Sequence, residues 1–266
     1  MVYESIVSDE GSSDKTVEIL SRMADRRITV IQNNGRKGYC GNFENALKNC
    51  TGDYIFLADQ DDLWMQNKVQ SFIDFIEEFP SASCIFSDGI LIDEDDNQLS
   101  GRMNHTIHES SDMLWLDRNK YLERAVSQSL ANGMAICISK ELLETALPFP
   151  AIKGSHDQWL IFCSVCLDTC YYLNKKLVKY RLHGNNTAGS SVYKGKPSIR
   201  LKKIYTRIKN GCLKISDFVE LGMAMIRCLE NYHLENTNAY FAAKRIIEIG
   251  AKEQDAFNSS RVVGGI

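Results

Sequence analysis

The chain has 266 residues, 44% of them hydrophobic, enough for one sizeable α/β core. A net charge of −3 provides no global basic field for nucleic acid, and no apolar run approaches the ~20 residues of a membrane span. Nine cysteines are an odd count for a disulfide scaffold; Cys163, Cys166 and Cys170 lie in or just beyond the apolar stretch Trp159–Leu167 and are expected as buried thiols in a reducing cytoplasm, not as a zinc site.

Taken in order, Tyr3–Ser8 reads as a strand and Asp14–Ala24 as a helix with Val17, Leu20, Met23 and Ala24 on its inner face. Strand Ile28–Ile31, helix Gly41–Asn49 and strand Asp53–Ala58 follow. In the next helix, near Asn67–Glu78, the residues Val69, Phe72, Ile73, Ile76 and Phe79 recur with a period of about 3.6. Ala82–Ser87 reads as a strand and 89–113 as polar loop. Met134–Ser139 predicts a strand, followed by a short helix that Pro148 and Pro150 end. Helix His156–Leu167 and strand Leu177–Arg181 come next, and beyond Gly189 only helices, at about 198–210, 215–230 and 236–252. Strands alternating with helices predict a doubly wound, mostly parallel sheet of the α/β class.

In such a sheet, ligands sit beyond the carboxyl ends of the strands. Acidic residues fall at three of these ends: Asp9-Glu10, the run Asp59-Gln60-Asp61-Asp62, and Asp88. Carboxylates gathered on one edge repel one another unless a cation sits among them, and hard oxygen ligands suit Mg²⁺ or Mn²⁺ holding a diphosphate. Helix capping is the alternative for any single aspartate, as for Asp14. The run from Asp59 to Asp62, directly after an apolar strand, favours the metal.

Three segments together resemble the inverting glycosyltransferases of family 2. Ser8-Asp9-Glu10-Gly11-Ser12-Ser13-Asp14 is similar to their Asp-Asp-Gly-Ser-x-Asp segment, with Glu10 in place of the second Asp. Asn33-Asn34-Gly35 is similar to their Asn-x-Gly turn, and the strand ending in Asp59-Gln60-Asp61-Asp62 to their Asp-x-Asp strand. The resemblance covers about residues 3–190. It implies a GT-A fold over 1–190 with a C-terminal helical region over 191–266, and a nucleoside-diphosphate sugar as donor. Asp9, Glu10 and Asp59 would then bind the donor nucleoside, and Asp61 a divalent cation, Mg²⁺ or Mn²⁺, bridging its diphosphate.

The resemblance extends to Gly154-Ser155-His156-Asp157-Gln158-Trp159, where the family's acidic pair supplies the base. Asp157 is the candidate to take the proton of an acceptor hydroxyl in a single displacement that inverts the anomeric carbon; a plain helix cap is the alternative. Gly133, Met134, His156 and Trp159 are candidate acceptor-side residues. Tyr180-Arg181-Leu182-His183-Gly184 resembles the C-terminal loop of rhamnosyltransferase-like members and implies Arg181 on phosphate and His183 on metal or phosphate. Between Lys194 and Lys214 eight basic residues and no acidic ones suggest peripheral contact with anionic lipid, fitting a lipid-linked or glycan acceptor at the inner membrane face; a solvated helix face is the alternative.

The family normally begins with a strand that precedes the segment matched here by Tyr3–Thr16. Its absence suggests a fragment, a start further upstream, or a decayed transferase. An inverting sugar transferase of bacterial-type surface glycans is therefore the leading expectation. A non-catalytic nucleotide- or glycan-binding relative is its rival, and a nucleotidyltransferase the weaker third.

Overall fold

The computed structural model describes residues 3–104, 107, 111–127, 129–150, 156–183, 215–248 and 251. Its elements are β1 (Ser5–Asp9), α1 (Thr16–Arg22), β2 (Ile28–Gln32), α2 (Tyr39–Leu47), β3 (Tyr54–Phe56) and β4 (Leu63–Trp64). Next come α3 (Lys68–Glu78), β5 (Cys84–Ile92), β6 (Met113–Trp115), α4 (Arg118–Ser127), a 3₁₀ turn over Gly133–Ala135, and β7 (Ile136–Ser139). The chain continues through α5 (Lys140–Ala146), α6 (His156–Cys166), β8 (Cys170–Arg181), α7 (Ile215–Asn231) and a last helix, α8, over 238–248. The basic stretch Lys194–Lys214 and the helix expected at 198–210 lie outside the described residues. Among the described residues no helix is long and apolar enough to cross a membrane.

The α/β class is as expected, but the sheet is mixed rather than mostly parallel. Its order is β3-β7-β5-β8-β4, with β6 also on β8. β7 lies antiparallel between β3 and β5, and β8 runs parallel to β5. β4 and β6 both pair antiparallel with β8, at opposite ends of that long strand. The simple alternation rule fails at β7, which follows α4 and the 3₁₀ turn yet enters between β3 and β5 antiparallel to both. β1 and β2 form a separate parallel pair, with Asp9 opposite Gln32.

Helices cover both faces of the large sheet. On one face α3 sets Phe72 and Phe75 against Ile85, Cys137, Leu173 and Leu177. On the other, α4, α5, α6 and α7 enclose Cys84, Phe86, Ile136, Ile138 and Tyr172. Each large side chain fully buried in this way contributes ~1.5–3 kcal/mol. Helix α6 is buried from Trp159 to Cys166 because helices pack around it as well as the sheet. Cys163, Cys166 and Cys170 are buried free thiols, as their apolar setting implied.

Three elements depart from expectation. The inner face of α3 is Lys68, Ser71, Phe72 and Phe75, about one residue round from the predicted stripe, with Val69 and Ile73 only half-buried. Helix α1 buries nothing, and Val17, Ile19 and Met23 are exposed. β5 runs on through Asp88 to Ile92, so Asp88 stands inside a strand at a register shift and not at its end. Its carboxylate accepts from the backbone of Gly89 and Asn104, with Arg102 at 3.5 Å, which makes it a buried brace for the following loop.

Candidate active site

The turn Asp59–Asp62 hangs between β3 and β4, and β4 is held against the far end of β8. That pairing brings Arg181 to the turn: its backbone N–H donates to Asp62 Oδ1 at 2.8 Å and its Nε to the Asp61 carbonyl at 2.8 Å. His183, two residues on, lies with Nε2 2.6 Å from Asp61 Oδ2. The structure thus joins Asp61 and His183, the two residues expected to share a cation, across a sequence gap of 122 residues.

The charges here are strained. Burial, then the neighbouring Asp61 and Asp157 carboxylates, push Asp59 up to about 6, while Lys68 opposes the rise. Burial pushes Asp62 up to about 7 despite the hydrogen bond from Arg181, and its Oδ2 is buried without a partner among the described residues. Three carboxylates and an imidazole, one oxygen of them unsatisfied, form an oxygen-rich donor set suited to a hard divalent cation. Among the described residues no three such side chains are grouped as a cage; Asp61 and His183 are the residues that would hold a divalent cation there.

Arg181 is heavily engaged. Its guanidinium donates to the carbonyls of Asp93 and Glu94 at 3.1 and 3.2 Å and pairs with Asp96 at 2.7 Å. A phosphate role would require exchange of one of these partners. Asp9 is likewise committed to its own loop: its carboxylate accepts from the Gly11 and Ser12 N–H groups and the Ser12 hydroxyl, which hold it below the usual carboxylate range. Glu10 reaches across to the N–H of Gly38 at 2.7 Å, tying the loop after β1 to the start of α2.

Asp157 is the second residue of α6, and its charge adds to the rise in the pKa of Asp59. His156 beside it is 6% exposed, stacked on Phe43 at 4.1 Å between ring centres, and neither ring nitrogen has a partner among the described residues. Burial drives its pKa down to about 4, so the ring is neutral near pH 7. It presses on the 3₁₀ turn, where a Cβ added to Gly133 would meet Nε2 at 2.9 Å. Gly133 and His156 are thus packed together beside Asp157, while Met134 is fully buried against Leu91, Met103, Ala135 and Val178. Trp159 does not join them: it is buried in the core against Phe162 and donates its indole N–H to the Ala146 carbonyl at 2.8 Å.

A residue absent from the sequence reading stands behind this arrangement. Lys68 is fully buried, donates to the Met134 carbonyl at 2.6 Å, and places its ammonium 3.7 Å from the centre of the Trp64 ring. Its register with Phe72 and Phe75, four and seven residues on, would have revealed it as a charged residue on an apolar face.

With the fold and site in view, the family follows. The profile of glycosyl transferase family 2 matches residues 1–140, and the chain belongs to that family. A UDP-Glc:α-D-GlcNAc-diphosphoundecaprenol β-1,3-glucosyltransferase, WfaP of Escherichia coli, is 40% identical over 74 residues, 28% of this chain and 30% of that protein. A putative teichuronic acid biosynthesis glycosyltransferase, TuaG of Bacillus subtilis, is 27% identical over 198 residues, 72% of each chain. Among solved structures, S. aureus TarS 1-349 in complex with UDP-GlcNAc has the same GT-A-like fold, with a TM-score of 0.58 at 16% identity over 92% of this chain and 61% of that one. The chain spans 30% and 56% of the lengths of the first two curated relatives.

Proposed function

We propose that the chain is an inverting hexosyltransferase. It would move a sugar from a UDP-type nucleoside-diphosphate donor to a hydroxyl of a lipid-linked or glycan acceptor in bacterial surface-polysaccharide synthesis, at the cytoplasmic face of the membrane. The observation that carries this reading is the meeting of Asp61 and His183 at 2.6 Å on the Asp59–Asp62 turn, a potential diphosphate site, with the charge of Asp157, the potential base, felt at Asp59. WfaP, which acts on a lipid-linked diphosphate acceptor by its name, supports the acceptor class.

In this reading Asp61 and His183 hold Mg²⁺ or Mn²⁺, and Asp59, with Asp9 and Glu10, lines the nucleoside side. Bound there, the cation neutralises charge on the departing diphosphate. Asp157 takes the acceptor proton as the new bond forms from the acceptor oxygen to the anomeric carbon and the bond to the diphosphate oxygen breaks. Gly133 and His156, backed by the buried Met134, stand on the acceptor side of Asp157 in this reading. Arg181 holds the carboxylate turn to the end of β8 and becomes a phosphate ligand on releasing the 93–96 loop.

The test is incubation with Mn²⁺, a GlcNAc-diphospho-lipid acceptor and a donor panel that includes UDP-glucose, UDP-GlcNAc and dTDP-rhamnose. Transfer by the wild type, lost in Asp157→Ala, supports the reading. Nucleotide binding with no transfer from any donor, unchanged in Asp157→Ala, would refute it in favour of a binding module.

A further inference from the structure

Lys68 has no part in the mechanism above, yet its burial demands a reason. Desolvating an ammonium is unfavourable, and methionine would fill the same volume without that cost. What an apolar side chain cannot do is donate to the Met134 carbonyl. The first residue of α3 thus reaches across the molecule to the 3₁₀ turn, and its charge rests on Trp64 with Phe56 at 5.7 Å. Trp64 stands two residues after Asp62, on the strand that closes the carboxylate turn. Gly133, next to Met134, lies directly against His156, the neighbour of Asp157. A continuous chain of contacts therefore runs from the Asp59–Asp62 turn through Trp64, Lys68, Met134 and Gly133 to His156.

We propose that Lys68 is a positioning residue that couples the two halves of the site, so that ordering the carboxylate turn around a diphosphate also sets the wall on the acceptor side. Contact alone does not establish coupling; a shared response to a ligand does. The attraction between Lys68 and both Asp59 and Asp62 makes the lysine sensitive to what occupies the turn. Burial leaves the ammonium's pKa at about 7, as expected for a charge held by few partners. The coupling makes chemical sense in a transferase: an acceptor wall that forms only after the donor is seated limits loss of the sugar to water.

The inference rests on the nucleotide-site reading, and its test separates the two. Amide hydrogen exchange is followed by mass spectrometry in the wild type with and without UDP and Mn²⁺. Protection is expected at 59–65 and also at 132–139. In Lys68→Met, and in Trp64→Leu as a second break in the same chain, only 59–65 gains protection, with UDP affinity within threefold of wild type. Lys68→Arg, which keeps charge and donor, restores part of the response at 132–139. With an active donor and acceptor, Lys68→Met raises the acceptor KM tenfold or more and leaves the donor KM within twofold. Wild-type protection confined to 59–65 would overturn the coupling and leave the nucleotide site standing. Protection at 132–139 that persists in both breaking variants would overturn it too. No protection anywhere in the wild type removes the nucleotide site, and the inference with it.

Discussion

Acid should unfold this protein partly through a single imidazole. His156 has an ordinary pKa of 6.5 and a buried value of about 4, so the folded state excludes a proton that the unfolded chain binds. The sign follows: above pH 6.5 the group has no effect, and stability falls as pH drops from 6.5 towards 4. At pH 5 the unfolded chain is nearly all protonated at this site and the folded one scarcely, which amounts to about 2 kcal/mol; below pH 4 the penalty saturates near ~3 kcal/mol. Urea unfolding at pH 7.5 and 5.0 measures the change in the wild type and in His156→Leu, which cannot titrate there. Other groups contribute equally to both proteins, so the difference of differences isolates the ring. The wild type should lose about 2 kcal/mol more than the variant across this interval. Parallel losses would mean that the ring finds a partner or solvent on protonation, and the burial argument would fail.

Four more outcomes are expected. Gly133→Ala places a methyl 2.9 Å from His156 Nε2, and overpacking against a buried ring should cost ~1–3 kcal/mol in thermal or urea unfolding. Asp157→Asn should lower transfer by ~10²–10⁴-fold with UDP binding retained, read by product formation against a nucleotide titration. His183→Ala should weaken Mn²⁺ activation ~10–100-fold, read from the metal dependence of turnover. Because Asp59 and Asp62 hold protons up to about pH 6 and 7, Mn²⁺ binding should release protons and weaken steeply below pH 6, which calorimetry in buffers of different ionisation enthalpy reports.

Much of this was legible in the sequence where local rules govern. The apolar strand that ends in Asp59 and the helix that begins at His156 are local patterns, and both stand where expected within a residue or two. The joining of Asp61 to His183 was foreseen only through resemblance, since no local rule relates residues so far apart. What escaped was set by tertiary structure. The antiparallel insertion of β7 between β3 and β5 depends on partners distant in sequence, and the extension of β5 past Asp88 depends on β8 continuing alongside it. Helix α4 carries Arg118, Lys120, Glu123 and Arg124 among its few apolar residues, which masks its period. Trp159 shows the opposite error: its place beside His156-Asp157 suggested the site, but two residues along a helix is a turn of about 200°, and it points to the core. Lys68 was overlooked because a charged residue at a helix start reads as surface.

The burial of α6 also bears on how this chain can vary. The helix that carries Asp157 shares its core with Leu221, Met225 and Leu229 of α7, far along the chain. The C-terminal helix α7 therefore helps to fix the position of Asp157, the proposed base. If Asp157 is the base, substitutions in α7 that never approach a substrate would reach the reaction by tilting α6. Selection for a new sugar or acceptor has the loops to work with, and selection for rate has the hidden contact between two helices.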